Sequence, residues 1–362
     1  MITLGVEEEY LLIDRATGLP VARAAAVRRA AERRDALTDG EVQRELLQAQ
    51  LEIATPVCRS LDEIGGHLLR MRHALDAAAR EEGCRLAACG GAPFNRRLPI
   101  PVTPSARYRA MRAHAPRLTD EQLIAGMHVH VGVPDRPAGV AVLNRLRPWL
   151  PLLVALAANS PLWQGVDTGF ASWRTLVFGR WPVSGVPPAF ADAADYRHRV
   201  DALVADGLVA DTGQVYWHIR LSEHYPTVEV RAMDVQLRAD EAVMLAGIVR
   251  ALAARALADE REHRPCPGIR PETLSAAVWH AARHGAATVF DPLTGALVPA
   301  ADAAAALLTV IDEDLEGDRR HIVPVLKRLL REGNGAARQR RTLRNGGKAR
   351  LLRMITDETG GA

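Results

Sequence analysis

Gly5-Val6-Glu7-Glu8-Glu9-Tyr10, set between Ile2-Thr3-Leu4 and Leu11-Leu12-Ile13, places three consecutive carboxylates inside an apolar run. Read as a strand, the stretch alternates: Glu7, Glu9 and Leu11 point one way, and Leu4, Val6, Glu8, Tyr10 and Leu12 the other. Two carboxylates on one face repel and raise each other's pKa unless a cation lies between them. Oxygen ligands favour Mg²⁺ or Mn²⁺ over zinc. A solvated face with arginine partners is the alternative for this pair. Glu8, on the apolar face, is expected to end the buried part of the strand or to pair with an arginine.

The remaining composition narrows the class. With 362 residues, 48% of them hydrophobic, the chain can bury a large core. A net charge of +3 is small. Only Lys327 and Lys348 are lysines, so the basic residues are almost all arginine without aromatic interleaving, which argues against a nucleic-acid surface. Cys58, Cys84, Cys89 and Cys266 form no CxxC pair and are too sparse for a disulfide framework, so a reducing cytoplasm is expected. Neither a secretory leader nor a membrane span of about twenty apolar residues is expected.

Further candidates follow along the chain. Ala22 to Ala36 reads as a helix, and Glu41 to Val57 as two strands carrying Glu45 and Glu52 among apolar neighbours, with Pro56 ending the second. Ser60-Leu61-Asp62-Glu63 starts a scaffold helix running to Gly83. The strand Arg85 to Cys89 breaks at Gly90-Gly91-Ala92-Pro93-Phe94 into a loop reaching Pro104. In Gly126-Met127-His128-Val129-His130-Val131-Gly132-Val133 the alternation sets His128 and His130 on one face, a metal or phosphate pattern unless both are structural. Pro137 to Ala158 reads as a core helix interrupted at Pro148 and Pro151. Gly169 to Pro188, with Arg174 and Arg180, is too irregular for a simple connection and reads as a substrate-covering loop. Tyr216 to Leu221 and Thr227 to Met233 form a hairpin in which Glu229 and Arg231 share a face, as site residues or as a surface ion pair. Beyond Arg238 the chain is helical, ending in Gly333-Asn334-Gly335 followed by Arg338, Arg340 and Arg341, which suits an anion if it folds over the site and is otherwise a solvated tail.

Together with Tyr225-Pro226-Thr227-Val228-Glu229-Val230-Arg231 and Leu51-Glu52-Ile53-Ala54-Thr55-Pro56-Val57-Cys58, these motifs in this order make the chain resemble the YbdK-type carboxylate-amine ligases of the glutamate-cysteine ligase type 2 family. The resemblance implies one α+β catalytic domain over residues 1–362, of glutamine-synthetase-like fold, a curved antiparallel sheet whose concave face holds ATP and two or three Mg²⁺ ions, with helices on the convex side. It implies metal ligation by Glu7, Glu9, Glu45, Glu52 and Glu229, and contacts to metal or phosphate from His128 and His130. It further implies Arg231 at the transferring phosphoryl group, Arg174 at the substrate carboxylate, and Arg338 and Arg341 at ATP. Glu52, Arg231 and Arg174 form the expected catalytic set. A ligase of this kind must screen two anions, the γ-phosphate and a carboxylate, and pass through an acyl phosphate that an amine attacks.

Expected partners are a small carboxylate and an amine, both amino acids, with glutamate and cysteine as the default, and the expected assembly is a homodimer. Ala92 departs from the Gly-Thr-His-Pro-Phe of many relatives, which removes any histidine role there. A zinc hydrolase using His128 and His130 would want further ligands, and His218, His224, His280 and His284 are not so arranged. A non-catalytic nucleotide-binding relative would be expected to have lost the acidic residues, which are all present.

Overall fold

The computed structural model describes residues 2–34, 37–38, 40–95, 99–315 and 317–361. Its centre is a seven-stranded sheet built from β1 (Leu4–Ile13), β2 (Val42–Arg44), β3 (Gln50–Ala54), β4 (Arg85–Ala87), β5 (Gly126–Gly132), β6 (Ile219–Leu221) and β7 (Thr227–Asp234). Their order is β2-β3-β1-β5-β7-β6, with β4 paired to the end of β1. Every pairing is antiparallel.

The alternation of β1 decides what lies on each side. Leu4, Val6, Tyr10 and Leu12 are buried, as are Met127, Val129 and Val131 of β5 and Val228 and Val230 of β7. Against this apolar face pack α1 (Leu61–Glu81), α2 (Arg136–Leu146), α3 (Leu150–Ala157) and α5 (Ala239–Arg261). Ser60 caps α1 through a reciprocal capping box with Glu63, which satisfies donors that the helix start would otherwise leave unpaired. The core helix expected over 137–158 is broken by a 3₁₀ turn at Arg147–Trp149, where Pro148 and Pro151 interrupt it. The stretch 136–157 is long and apolar enough to cross a membrane by length and composition, but 83% of its most apolar window is buried inside the protein.

Outside the sheet, α4 (Trp173–Phe178) lies within the irregular 169–188 segment, and α6 (Arg319–Glu332) and α7 (Gly335–Gly360) close the chain. The helix expected over 22–36 runs over Ala24–Glu32; residues 35 and 36 lie outside those described. A two-stranded ribbon at Thr288–Asp291 and Ala296–Pro299 was not expected from the sequence. Part of the loop expected over 90–104, residues 96–98, also lies outside the described residues.

Glu8 shows how the apolar face tolerates a charge. It is fully buried and accepts from Arg72 Nε of α1 at 2.9 Å, from Arg72 Nη2 and from the Tyr10 hydroxyl. Arg72 donates onward to the carbonyls of Leu237 and Gln236, at 3.0 and 2.9 Å. The pair therefore ties β1, α1 and the start of α5 into one buried network. Removing one member strands the other charge without water, whereas removing both does not. Arg72→Leu should cost about 3–5 kcal/mol in urea unfolding, and adding Glu8→Leu should recover a substantial part of that loss. A double variant no more stable than the single one would contradict this account.

Candidate active site

The face of the sheet opposite the helices carries the chemistry, and the register brings it together. Glu9 lies directly opposite Glu52 of β3, and Glu7 opposite His128 of β5. His130 lies opposite Glu229 of β7, which in turn faces Arg220 of β6. An irregularity in the β5–β7 ladder between Met127 and Val129 leaves His128 without a direct partner on β7. Bulges of this kind re-aim a side chain. His128 Nδ1 stands 2.9 Å from Glu7 Oε2 and 3.6 Å from Glu229 Oε1, and its Nε2 is 3.8 Å from Glu9 Oε1.

Glu7, His128 and Glu229 offer one ligand atom each, all within 4.8 Å of one another. Among the described residues the buried Nε2 atoms of His128 and His130 make no hydrogen bond, and that of His130 stands 3.4 Å from Glu7 Oε1. A hard divalent cation fits this donor set, since four more carboxylate oxygens of Glu9 and Glu52 stand on the same face and Glu45 follows β2 at the pocket wall. The set is unlike a zinc site, because carboxylate oxygens dominate it and His128 is the one histidine at the cavity wall among the described residues.

Glu7, Glu9, Glu45, Glu52 and His128 line a cavity of about 210 Å³, bounded further by Gln50, Arg107, Tyr108, Gln122, Arg174, Phe178, Trp181, Tyr216 and Arg231, with Glu229 behind Arg231. Arg231 is ion-paired with Glu229, whose other oxygen accepts from Arg220 Nε at 2.7 Å. The ion pair read from the strand is thus formed, but it is buried at the cavity and does not face solvent. Arg174 is 2% exposed and has no carboxylate partner among the described residues; one nitrogen donates to the Arg231 carbonyl at 3.2 Å and its Nε has none. It enters the cavity beside Gly126, where an added Cβ would sit 2.2 Å from its Nη2. Its backbone is fixed through Ser160 and Asp234: Asp234 accepts from Asn159 N, Ser160 Oγ and Ser172 Oγ at 2.7–2.8 Å, and Ser160 Oγ accepts from Arg174 N at 3.0 Å.

The charges are unevenly shared. Burial pushes the Glu7 and Glu229 carboxyls up, but His128 and His130 around Glu7, and Arg231 and Arg220 around Glu229, outweigh it and hold both well below the usual carboxylate range. Glu45 is only weakly offset by Arg231, and like charges dominate around Glu52. Burial and the charge of Glu9 push Glu45 up to about 8, and burial, Glu7, Glu45 and Glu9 raise Glu52 well above its ordinary value. Burial lowers the His130 pKa, yet Glu7 and Glu229 raise it overall.

Two expected positions are corrected. Arg338 does not reach the cavity: it is buried against α5, with both terminal nitrogens on Glu241 at 2.7 and 2.6 Å. Arg341 is exposed and donates to the Glu332 carbonyl. The 333–341 motif instead locks the scaffold, with Asn334 capping α7 and Gln339 donating to the backbone and side-chain oxygens of Asn159. Ala92 is fully buried and does not line the cavity. Gln50, Arg107, Tyr108, Gln122, Tyr216 and Arg220 were not singled out from the sequence, because each sits in an ordinary local context and only the tertiary fold brings them to the site.

The profile of glutamate-cysteine ligase family 2 matches residues 3–354 of this chain. A relative from Rhodopirellula baltica named "Putative glutamate--cysteine ligase 2" is 41% identical over 348 residues, covering 94% of this chain and 92% of its own. The "ligase 2-1" of that name from Saccharopolyspora erythraea is 45% identical over 350 residues, covering 95% and 90%. Among solved structures, glutamate-cysteine ligase from Francisella tularensis in complex with AMP superimposes with a TM-score of 0.75 at 14% identity, covering 99% of this chain and 88% of that one. A bifunctional glutathione synthetase from Pasteurella multocida gives 0.71 at 12% identity, over 99% of this chain and 52% of its own. These two likenesses concern the fold.

The raised carboxyls set a pH dependence. Folded, Glu45 keeps its proton to about pH 8, whereas unfolded it loses it near its ordinary 4.5. Its contribution is therefore present below pH 4.5 and is lost as pH rises towards 8. His130, raised in the fold, acts in the same sense above pH 6.5, while the lowered Glu7 and Glu229 act below 4.5. Buried His218, lowered to about 3, acts in the opposite sense below pH 6.5. In EDTA the melting temperature should therefore fall between pH 6.5 and 8, and the gain on adding Mg²⁺ should be larger at pH 8. A flat profile in EDTA, or an equal gain at both pH values, would contradict this charge distribution.

Proposed function

This chain belongs to glutamate-cysteine ligase family 2 and is an ATP-dependent carboxylate-amine ligase, and we propose that it couples a glutamate-like carboxylate to a cysteine-like amine through an acyl phosphate, with Mg²⁺ or Mn²⁺ as cofactor. The observation that carries the reading is one cavity lined by Glu7 and His128, which cluster with Glu229 behind the wall, and by the buried guanidinium of Arg174, which has no carboxylate partner among the described residues.

Glu7 also lines a second, larger cavity of about 700 Å³, with Gly5, Thr55, Pro56, His130, Tyr225 and Thr227. Glu7 thus stands between two chambers. The larger and more apolar one is assigned to the nucleotide, and the smaller to the substrates that react with its γ-phosphate.

Glu7, Glu9, Glu45, Glu52 and Glu229 would hold the cations, with His128 and His130 alongside. The ions would screen the phosphate charges that otherwise repel an incoming carboxylate. Arg174 supplies the positive charge that holds the carboxylate substrate, since a buried guanidinium without a counter-ion is relieved by binding an anion. A carboxylate oxygen forms a bond to the γ-phosphorus as the bond to the bridging oxygen breaks, leaving acyl phosphate and ADP. The amine nitrogen then bonds to the acyl carbon, the carbon–oxygen bond to phosphate breaks, and the amine proton passes to water. Arg231, fixed by Glu229 and with its Nε unpartnered among the described residues, is placed to stabilise the phosphoryl group in transit.

ADP release should require both a carboxylate and an amine when amino acids are screened in pairs; phosphate release independent of every amine, with hydrolysis of an ester or amide, would overturn the ligase reading. Arg231→Lys should lower kcat by roughly two orders of magnitude with the fold intact, because lysine lacks the planar fork. Near wild-type turnover in that variant would remove Arg231 from the chemistry.

A further inference from the structure

The cations around the small cavity differ in what they are free to do. Arg231 is committed to buried Glu229, and Arg174 is enclosed at the inner wall. Arg107 is the exception. It stands at the N-terminal end of the helix Ala106–His114, its side chain half exposed at the rim of the cavity. Its side-chain partner is Asp211, at 2.9 and 3.3 Å, across the mouth on the turn that precedes Tyr216. An added Cβ at Gly213 would lie 2.7 Å from Arg107 Nη2, so the guanidinium rests on bare backbone.

The relative strengths of these pairs decide which arginine can change partners. An exposed pair contributes little, since water screens it and two long side chains must be held in one geometry. Arg107 can therefore leave Asp211 at small cost. A carboxylate brought into the cavity meets the same fork with less water around it and accepts stronger bonds. Near Arg107 the lining includes uncharged side chains: Met111 lies one helical turn on from it, and Trp181 and Tyr216 face each other at 5.9 Å.

Resting on the ligase reading above, we propose that Arg107 binds the free carboxylate of the amine substrate, exchanging Asp211 for it. The amine substrate is then an amino acid with its carboxylate at the rim, its uncharged side chain against Met111, Trp181 and Tyr216, and its amino group directed inward. Arg174 serves the other substrate, so the two carboxylates are read by different arginines.

Binding, not turnover, separates this proposal from the ligase reading. Calorimetry with Mg²⁺ and a non-hydrolysable ATP analogue would compare L-alanine, L-cysteine, L-leucine and L-phenylalanine, each against its carboxamide, in wild type, Arg107→Ala and Asp211→Asn. Wild type should favour the best-binding free acid over its carboxamide by about 10- to 100-fold. Arg107→Ala should abolish the preference by weakening the acid alone, and Asp211→Asn should keep or increase it. A purely structural clasp would lose acid and carboxamide affinity alike in both variants, which would overturn the proposal. So would a preference that survives in Arg107→Ala, or the absence of binding by every member of the panel. An Arg107-dependent preference in a protein that releases no ADP would uphold this assignment and overturn the ligase reading.

Discussion

Like charges crowded on one face of a sheet are the constraint on which the rest of the structure depends. Glu7, Glu9, Glu52 and Glu229 come from three strands and meet across β1, with Glu45 at their edge. Antiparallel pairing fixes this geometry, because a slip of one residue in β1 would turn Glu7 and Glu9 into the core and Glu8 out of it. The repulsion is only partly answered from within. Arg231, Arg220 and the two histidines mainly serve Glu7 and Glu229, while burial and the neighbouring carboxylates raise Glu45 and Glu52. A sheet kept in this state is under-neutralised in the way a divalent-cation site is before its ions arrive.

The arginines divide by partner. Arg72 and Arg338 are buried with full carboxylate partners, Glu8 and Glu241, and act as internal ties between the sheet and helices or between helices. Arg174 is equally buried but forms no ion pair among the described residues, with Glu9 and Asp234 acting on it only at a distance. Burial pushes its pKa down, the physical mark of a cation that would gain from an anion. Arg147 is buried in the same way and donates to the Pro187 carbonyl, so it is the place of Arg174 at the cavity wall that separates site from scaffold.

The site was legible in the sequence where strict alternation carried it. Glu7 with Glu9, and His128 with His130, follow from a period of two alone, and Glu8 was read correctly as belonging to the other face. Family resemblance joined these strands into one sheet, which no local pattern supplies. Legibility failed where tertiary contacts decide. Arg338 and Arg341 follow glycines as a phosphate loop might, but the chain there is a helix whose start is capped by Asn334 and whose Arg338 finds Glu241 nearly a hundred residues earlier. Arg107 and Tyr216 carry no local signature at all, since a helix end and a loop make them neighbours of the cavity. Alternation likewise could not foresee the irregularity beside His128, which depends on the register of β7.

Manganese binding followed by electron paramagnetic resonance tests the central claim most directly, because the signal of free Mn²⁺ disappears on protein coordination and no turnover is needed. The account predicts that the wild-type protein takes up Mn²⁺ and that Glu7→Gln and Glu52→Gln each weaken binding by about tenfold or more with the fold preserved, since a neutral amide loses the charge that attracts a hard cation. A wild-type protein that leaves millimolar Mn²⁺ free, or two variants that bind it as tightly as wild type, would contradict it.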